Sequence, residues 1–276
     1  MTATVTHAIV TADGSEPNRA MIFLHGIFGS GGNWRTFARR FVAARPEWAA
    51  ILVDLRMHGA SQGFAPPHLV ESTALDLDAL DAVLPYPVRG VVGHSFGGKV
   101  ALAYIDRHGR NLSEAWILDS MPGARVNARG SESTMRALEV MASLPNEAFP
   151  SREAFVAKLT EEGIARSVAQ WLAMNLRAEE RGSYRLRLDL AANRSQIENY
   201  FALDEWHVIE RAPDNLALHV VIGGQSGVFD AEDRKRIQRL ADEKPKHIYV
   251  HVLEKAGHWV HVDDPDGLFS VMTAQY

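Results

Sequence analysis

Short, mostly apolar runs recur along the chain at Met21–Leu24, Ala50–Val53, Val88–Val92, Ala115–Leu118 and Leu216–Ile222. Runs of this length without strict polar alternation mark strands buried on both faces. Between them the apolar spacing lengthens to the helical period. Asn33–Ala44 and Leu69–Leu84 read as helices, the second with Leu75, Leu80 and Leu84 on its apolar face. His247–Leu253 alternates like a strand, residues 3–12 suit an antiparallel edge, and Pro265 opens a last helix. Strands alternating with helices predict an α/β protein with a doubly wound, mostly parallel sheet. After Pro122 the pattern changes. Residues 123–212 are charged and mainly helical, with helices expected at Ser131–Leu144, Ser151–Glu162, Ile164–Glu179 and Asn193–Trp206 and an extended piece at Ser183–Leu188. Strand character resumes only at Leu216. The prediction is therefore a core of residues 1–122 and 213–276 with a helical cap or lid inserted at 123–212.

The strand Val88–Val92 runs into Gly93-His94-Ser95-Phe96-Gly97 and then into a helical pattern. This G-x-S-x-G sequence, in a strand–turn–helix setting, is a nucleophile elbow with Ser95 as the nucleophile. A serine on so sharp a turn needs neighbours without side chains two positions away on each side. A second strand, Met21–Leu24, stops at His25-Gly26-Ile27-Phe28-Gly29-Ser30. Acyl transfer needs two backbone N–H groups aimed at the developing oxyanion, one from the residue after the nucleophile and one from such a loop. Phe96 supplies the first, and Ile27 the second, with Phe28 as its competitor.

A general base is expected late in the chain, because hydrolases with this elbow run serine, acid, histidine in order. His258, in the loop Ala256-Gly257-His258-Trp259-Val260-His261, has that place. His258 and His261 also have the spacing of a metal pair, but no third ligand or cysteine stands near, so no metal and no cofactor is expected. His25 and His94 sit inside the motifs and are read as packing or backbone-positioning residues. Lys99 and Arg56 are read as structural.

Together with the Asp54-Leu55-Arg56-Met57-His58-Gly59-Ala60-Ser61 loop, these segments resemble the α/β-hydrolase superfamily over nearly the whole chain. Within it they resemble YbfF-type esterases and ABHD11-like hydrolases. The resemblance implies an α/β-hydrolase fold and a serine hydrolase. Many superfamily members carry the triad acid in a G-x-x-D turn after the strand that follows the cap. Here that turn reads Gly223-Gly224-Gln225-Ser226, with serine at the acid position. A hydroxyl orients a histidine but does not stabilise an imidazolium as a carboxylate does. Asp119, at the end of the strand Ala115–Leu118, is the favoured acid, since catalytic groups gather at the C-terminal ends of parallel strands. The YbfF-type enzymes imply the same earlier acid, with Ser226 as an auxiliary hydroxyl. Asp230 remains open as the acid, as does a triad completed by Ser226 or another group.

The aromatic residues Phe28, Trp34, Trp171 and Trp259 are expected around Ser95, with Phe64, Met135, Met141 and Met174 as further apolar candidates. They favour an apolar acyl or alkyl substrate. The expected activity is carboxylic ester hydrolysis through an acyl-enzyme. A thioesterase or lactonase presents the same carbonyl, and perhydrolysis, C–C hydrolysis or a lyase reaction uses the same triad. A non-catalytic ligand-binding relative is the reading of another class.

Composition narrows this further. A net charge of -5 offers no basic footprint for nucleic acid. The absence of cysteine excludes thiol catalysis and disulfides. No apolar run approaches a membrane span and residues 1–30 do not read as a secretory leader, so the expectation is a cytoplasmic monomer or dimer acting on a small-molecule ester or thioester.

Overall fold

Strand periodicity divides the apolar residues between two faces. Ala20, Ile22 and Leu24 join one buried cluster, while Met21 and Phe23 join the other. The computed structural model describes residues 4–125, 132–144, 148–179 and 182–274. The strands are β1 (His7–Val10), β2 (Arg19–Leu24), β3 (Trp48–Val53), β4 (Val88–His94), β5 (Glu114–Leu118), β6 (Leu176–Ala178), β7 (Tyr184–Leu186), β8 (Ala217–Gly223) and β9 (Ile248–Leu253). Seven of them form one sheet in the order β1-β3-β2-β4-β5-β8-β9. All neighbours in it are parallel except β1 and β3, so β1 is the antiparallel edge. β6 and β7 form a separate antiparallel ribbon.

The helices are α1 (Arg35–Ala44), α2 (Val70–Asp81), α3 (Phe96–His108), α4 (Glu132–Ser143), α5 (Arg152–Glu161), α6 (Arg166–Leu172), α7 (Leu190–Ala202), α8 (Trp206–Glu210), α9 (Ala231–Glu243), α10 (Val260–Asp263) and α11 (Pro265–Thr273). On one face, α2, α3 and α9 bury Leu77, Val100 and Ile237 against Ile51, Val91 and Val220. On the other, α1 and α11 bury Phe41, Leu268 and Met272 against Phe23, Trp116 and Val221. α4 to α8 and the β6-β7 ribbon lie in sequence between β5 and β8.

Several predicted elements differ from those observed. The chain turns as a 3-10 helix over Gly31–Trp34 before α1, whereas the helix was expected to open at Asn33. The helix expected over Ile164–Glu179 ends at Leu172, and Leu176–Ala178 is strand. Arg152 donates to the carbonyls of Ala173 and Leu176 there, a tertiary contact that overrides helical propensity. α7 starts at Leu190 rather than Asn193, because the Asp189 side chain caps it by accepting the Ala192 N–H at 2.9 Å. It stops at Ala202, and Trp206 begins a separate helix. Leu75 points outward and is 44% exposed, so the apolar face of α2 is carried by Ala74, Leu77 and Leu80. Ser131 lies outside the described residues.

One buried cation ties the two ends of this insertion to α3. Lys99 is fully buried, and its ammonium donates to the carbonyls of Gly123 at 3.0 Å and Leu203 at 2.5 Å, and to that of Tyr200. Burial pulls its pKa down to about 8, and burial pushes that of neighbouring Glu205 up to about 8. Lys99→Met keeps the apolar stem but leaves three carbonyls short of a donor. The expected cost is about 2–4 kcal/mol, read as a lower urea midpoint at unchanged slope. A midpoint equal to wild type would show that the ammonium contributes nothing to holding the insertion.

Candidate active site

Three loops at the C-terminal ends of β2, β4 and β5 meet the loop after β9. At the end of β4, Ser95 has φ 52° and ψ -118°, a strained conformation for a residue with a side chain. The glycines around it show why the turn needs them. A Cβ on Gly93 would stand 2.1 Å from the Gly97 carbonyl oxygen, and one on Gly97 would stand 2.5 Å from that of His25. Gly93 thus lets strand and helix approach, while Gly97 lets α3 sit against the end of β2. The Ser95 N–H donates to the Leu118 carbonyl at 3.0 Å and fixes the elbow to β5.

His258 Nε2 lies 3.0 Å from Ser95 Oγ, and its Nδ1 lies 2.8 Å from Asp119 Oδ2. Asp119 follows β5 with φ 42° and has no exposed surface. Its carboxylate also accepts the Gly223 N–H at 3.0 Å on Oδ1 and the Ser226 hydroxyl at 2.5 Å on Oδ2. A carboxylate acceptor requires the proton on His258 Nδ1, which leaves Nε2 as a base facing the serine hydroxyl. Asp230, the other candidate acid, is elsewhere. It caps α9 by accepting the Glu232 and Asp233 N–H groups and pairs with Arg125. Those backbone donors lower its pKa.

The backbone donors sort themselves by what is already bonded. The Phe28 N–H donates to His58 Nε2 at 3.0 Å, so the expected competitor for the oxyanion is committed elsewhere. Phe96 is the first residue of α3, where an N–H has no helical partner. Among the described residues, no internal acceptor takes the N–H of Ile27 or of Phe96. Phe96 follows Ser95 directly in the chain, and Ile27 and Ser95 line the same cavity.

A cavity of about 610 Å³ opens over Ser95 and His258, with Ile27, Phe28, Trp171 and Trp259 on its walls. Phe28, Trp171 and Trp259 form a row of rings, with centroids 6.3 Å and 5.7 Å apart. Trp34 is not on the wall. It is fully buried between Phe23 and His261 on the other face of the sheet. Phe64 lies by the Arg56 guanidinium, Met141 is core, Met135 packs against the core, and Met174 is 53% exposed. The remaining lining is neutral or acidic, including Asn33, Ser133, Thr134, Ser167 and Asp263; no lysine or arginine lines the cavity among the described residues.

The motif histidines hold backbone. His94 Nε2 donates to the His258 carbonyl at 2.8 Å, and its ring lies 4.8 Å from that of His258. His25 Nε2 accepts the Leu55 N–H, and His25 Nδ1 donates to the Gly26 carbonyl. His261 packs on Trp34 and His94 rather than on Ser95. Arg56 makes a bidentate pair with Asp76 at 2.6 and 2.7 Å. No group of three or more His, Cys, Asp or Glu residues suited to a metal occurs among the described residues.

Two contributors carried no role in the sequence reading. His58, in the Asp54–Ser61 loop, holds the Phe28 N–H. Asn175, nine-tenths buried, donates from Nδ2 to the Phe28 carbonyl at 2.8 Å. The only available signal was a polar residue inside the stretch Trp171-Leu172-Ala173-Met174-Asn175-Leu176, since a buried amide needs partners.

Comparison with known proteins agrees with this architecture. The chain matches the alpha/beta hydrolase family over residues 21–271. It is 28% identical over 270 residues to the sn-1-specific diacylglycerol lipase ABHD11 of Danio rerio, covering 95% of this chain and 80% of that one. It is 28% identical over 260 residues to the esterase YbfF of Escherichia coli (strain K12), covering 94% and 93%. A marine microorganism esterase superposes with a TM-score of 0.82 at 21% identity over 98% of both chains, a likeness of fold. No helix among the described residues is long and apolar enough to cross a membrane.

The buried histidines make stability acid-sensitive. Burial lowers the pKa from 6.5 to about 4 for His25 and to about 3 for His58 and His219, and lowers that of His94 well below 6.5. The folded chain keeps these rings neutral where the unfolded chain protonates them. Their contribution is therefore complete above pH 6.5 and is lost as pH falls below it, by about 1.4 kcal/mol per pH unit for each ring. Urea unfolding at pH 7 and at pH 5 should show a clear drop at the lower value, and equal midpoints would refute the neutral assignment.

Proposed function

We propose, on the premise that the chain belongs to the alpha/beta hydrolase family, that it hydrolyses carboxylic esters through a covalent acyl-enzyme on Ser95. The observation that carries this reading is the unbroken run of hydrogen bonds from Ser95 Oγ through the His258 ring to the buried Asp119 carboxylate. That relatives over most of their length are named esterase and diacylglycerol lipase supports it.

In the proposed reaction His258 Nε2 takes the Ser95 proton as Oγ forms a bond to the acyl carbon. The carbonyl π electrons move onto oxygen, and the N–H groups of Ile27 and Phe96 stabilise that charge. Asp119 holds the ring orientation and stabilises the imidazolium. The C–O bond to the alcohol then breaks, with the proton passing from His258 to the departing oxygen. Water repeats the steps on the acyl-enzyme, releasing the acid and free Ser95. Ser226, bonded to the same oxygen of Asp119 as His258, is an auxiliary donor.

The residues between β5 and β8 act as a cap in this reading, because Ser133, Ser167 and Trp171 wall the cavity above Ser95. The apolar rings suit an acyl or alkyl group. The lack of cationic lining among the described residues favours a neutral ester over a thioester of a polyphosphate carrier.

Ser95→Ala should lower kcat by about 10³-fold or more with folding intact, and should abolish labelling by a fluorophosphonate. Retained turnover would remove Ser95 from the mechanism. Separately, Asp119→Asn should lower kcat by about 10²- to 10⁴-fold, Ser226→Ala much less, and Asp230→Asn almost not at all. A severe Asp230→Asn effect beside a mild Asp119→Asn effect would reverse the assignment of the acid.

A further inference from the structure

Phe28 has φ 62°, a left-handed conformation that a bulky side chain adopts only when its surroundings impose it. Both polar groups of this residue are gripped by side chains. His58 Nε2 takes its N–H at 3.0 Å, and Asn175 Nδ2 donates to its carbonyl at 2.8 Å. The grips are themselves fixed. His58 Nδ1 donates to the Arg56 carbonyl at 3.0 Å, which leaves Nε2 without a proton and able to accept. Asn175 is nine-tenths buried and donates also to the Leu172 carbonyl at 3.3 Å.

The two grips come from different parts of the molecule. His58 belongs to the loop after β3, whereas Asn175 follows α6, inside the insertion. The Phe28 N–H lies in the Ile27–Phe28 peptide and the Phe28 carbonyl in the Phe28–Gly29 peptide, so the two grips fix the peptide planes on both sides of Phe28 and leave the preceding residue only its own φ and ψ. That residue is Ile27, whose N–H is proposed to receive the oxyanion.

We infer that Asn175 is a positioning residue for the oxyanion hole, holding the Ile27–Phe28 segment through the Phe28 carbonyl, so that the inserted segment completes the catalytic machinery as well as walling the cavity. The inference rests on the proposed acyl-enzyme mechanism. An oxyanion donor acts in the transition state more than in the ground state, and its misplacement lowers kcat with little effect on KM. Loss of a cavity wall instead raises KM and shifts chain-length preference.

Asn175→Asp is nearly isosteric and replaces the donor with an oxygen that repels the Phe28 carbonyl; Asn175→Ala removes the group. Both variants are compared with wild type on a short and a long p-nitrophenyl ester, with kcat expressed per serine titrated to completion by a fluorophosphonate so that only folded molecules count. The expected result is a kcat lower by about tenfold or more on both esters, a KM within about twofold, and a parallel loss of affinity for a trifluoromethyl ketone that forms a tetrahedral adduct. An unchanged kcat per titrated serine in either variant overturns the inference, as does a loss confined to KM or to the long ester. Ser95→Ala, run in parallel, separates the two ideas. If it keeps its activity the acyl-enzyme reading itself fails, whereas an inactive Ser95→Ala beside fully active Asn175 variants fails the positioning role alone.

Discussion

A carboxylate with no exposed surface must find donors for its oxygens, and Asp119 meets that requirement with three donors from two separate stretches of chain. Gly223 N–H ends β8, the Ser226 hydroxyl comes from the turn that follows, and the His258 ring comes from the loop after β9. The end of β5 is thereby joined to both strands beside it on that side of the sheet. Close approach at this point depends on glycine again, since a Cβ on Gly223 would stand 2.2 Å from the Gly257 carbonyl oxygen. The geometry at Ser95 is a consequence of this buried charge as much as of the elbow.

What the sequence made legible was local. The mostly parallel sheet follows from alternating strands and helices, and the elbow and the loop after β2 announce themselves because tight backbone approaches leave glycine few substitutes. Asp119 was legible by its position at a strand end and by the serine in the later turn. What stayed hidden depends on contacts distant in sequence. Trp34 adjoins the loop after β2, yet its ring turns beneath the sheet, because Phe23 and His261 offer it a packed site there. The distinction between Ile27 and Phe28 as donors rests on a bond to His58, thirty residues away. In the insertion, Arg152 caps carbonyls that helical propensity would have used otherwise, and the short β6-β7 ribbon results.

The insertion is held at several levels. Lys99 anchors its two ends to the helix that begins at the elbow, and Asn175 reaches from its interior to the loop after β2. Asn193 and Gln196 on α7 lie against His58 and the Arg56 carbonyl. A segment that contributes walls, anchors and a backbone grip is coupled to the site beneath it, and repacking any one of these contacts reaches the others.

The placement of Asp119 has a consequence for the order in which the protein comes into being. The aspartate precedes its histidine by 139 residues, which at a synthesis rate of about 5–20 residues per second is about 7–28 seconds on the ribosome. For the first 104 of those residues β1 to β5 can pair, with serine and carboxylate already at neighbouring strand ends, while Gly223, Ser226 and His258 are all still to be translated. Until β8 and β9 dock, that carboxylate takes its hydrogen bonds from water at the open margin of the sheet, and docking exchanges them for those of the chain. The nascent chain carries Ser95 early, and the histidine ring that faces its hydroxyl arrives only as the sheet is completed.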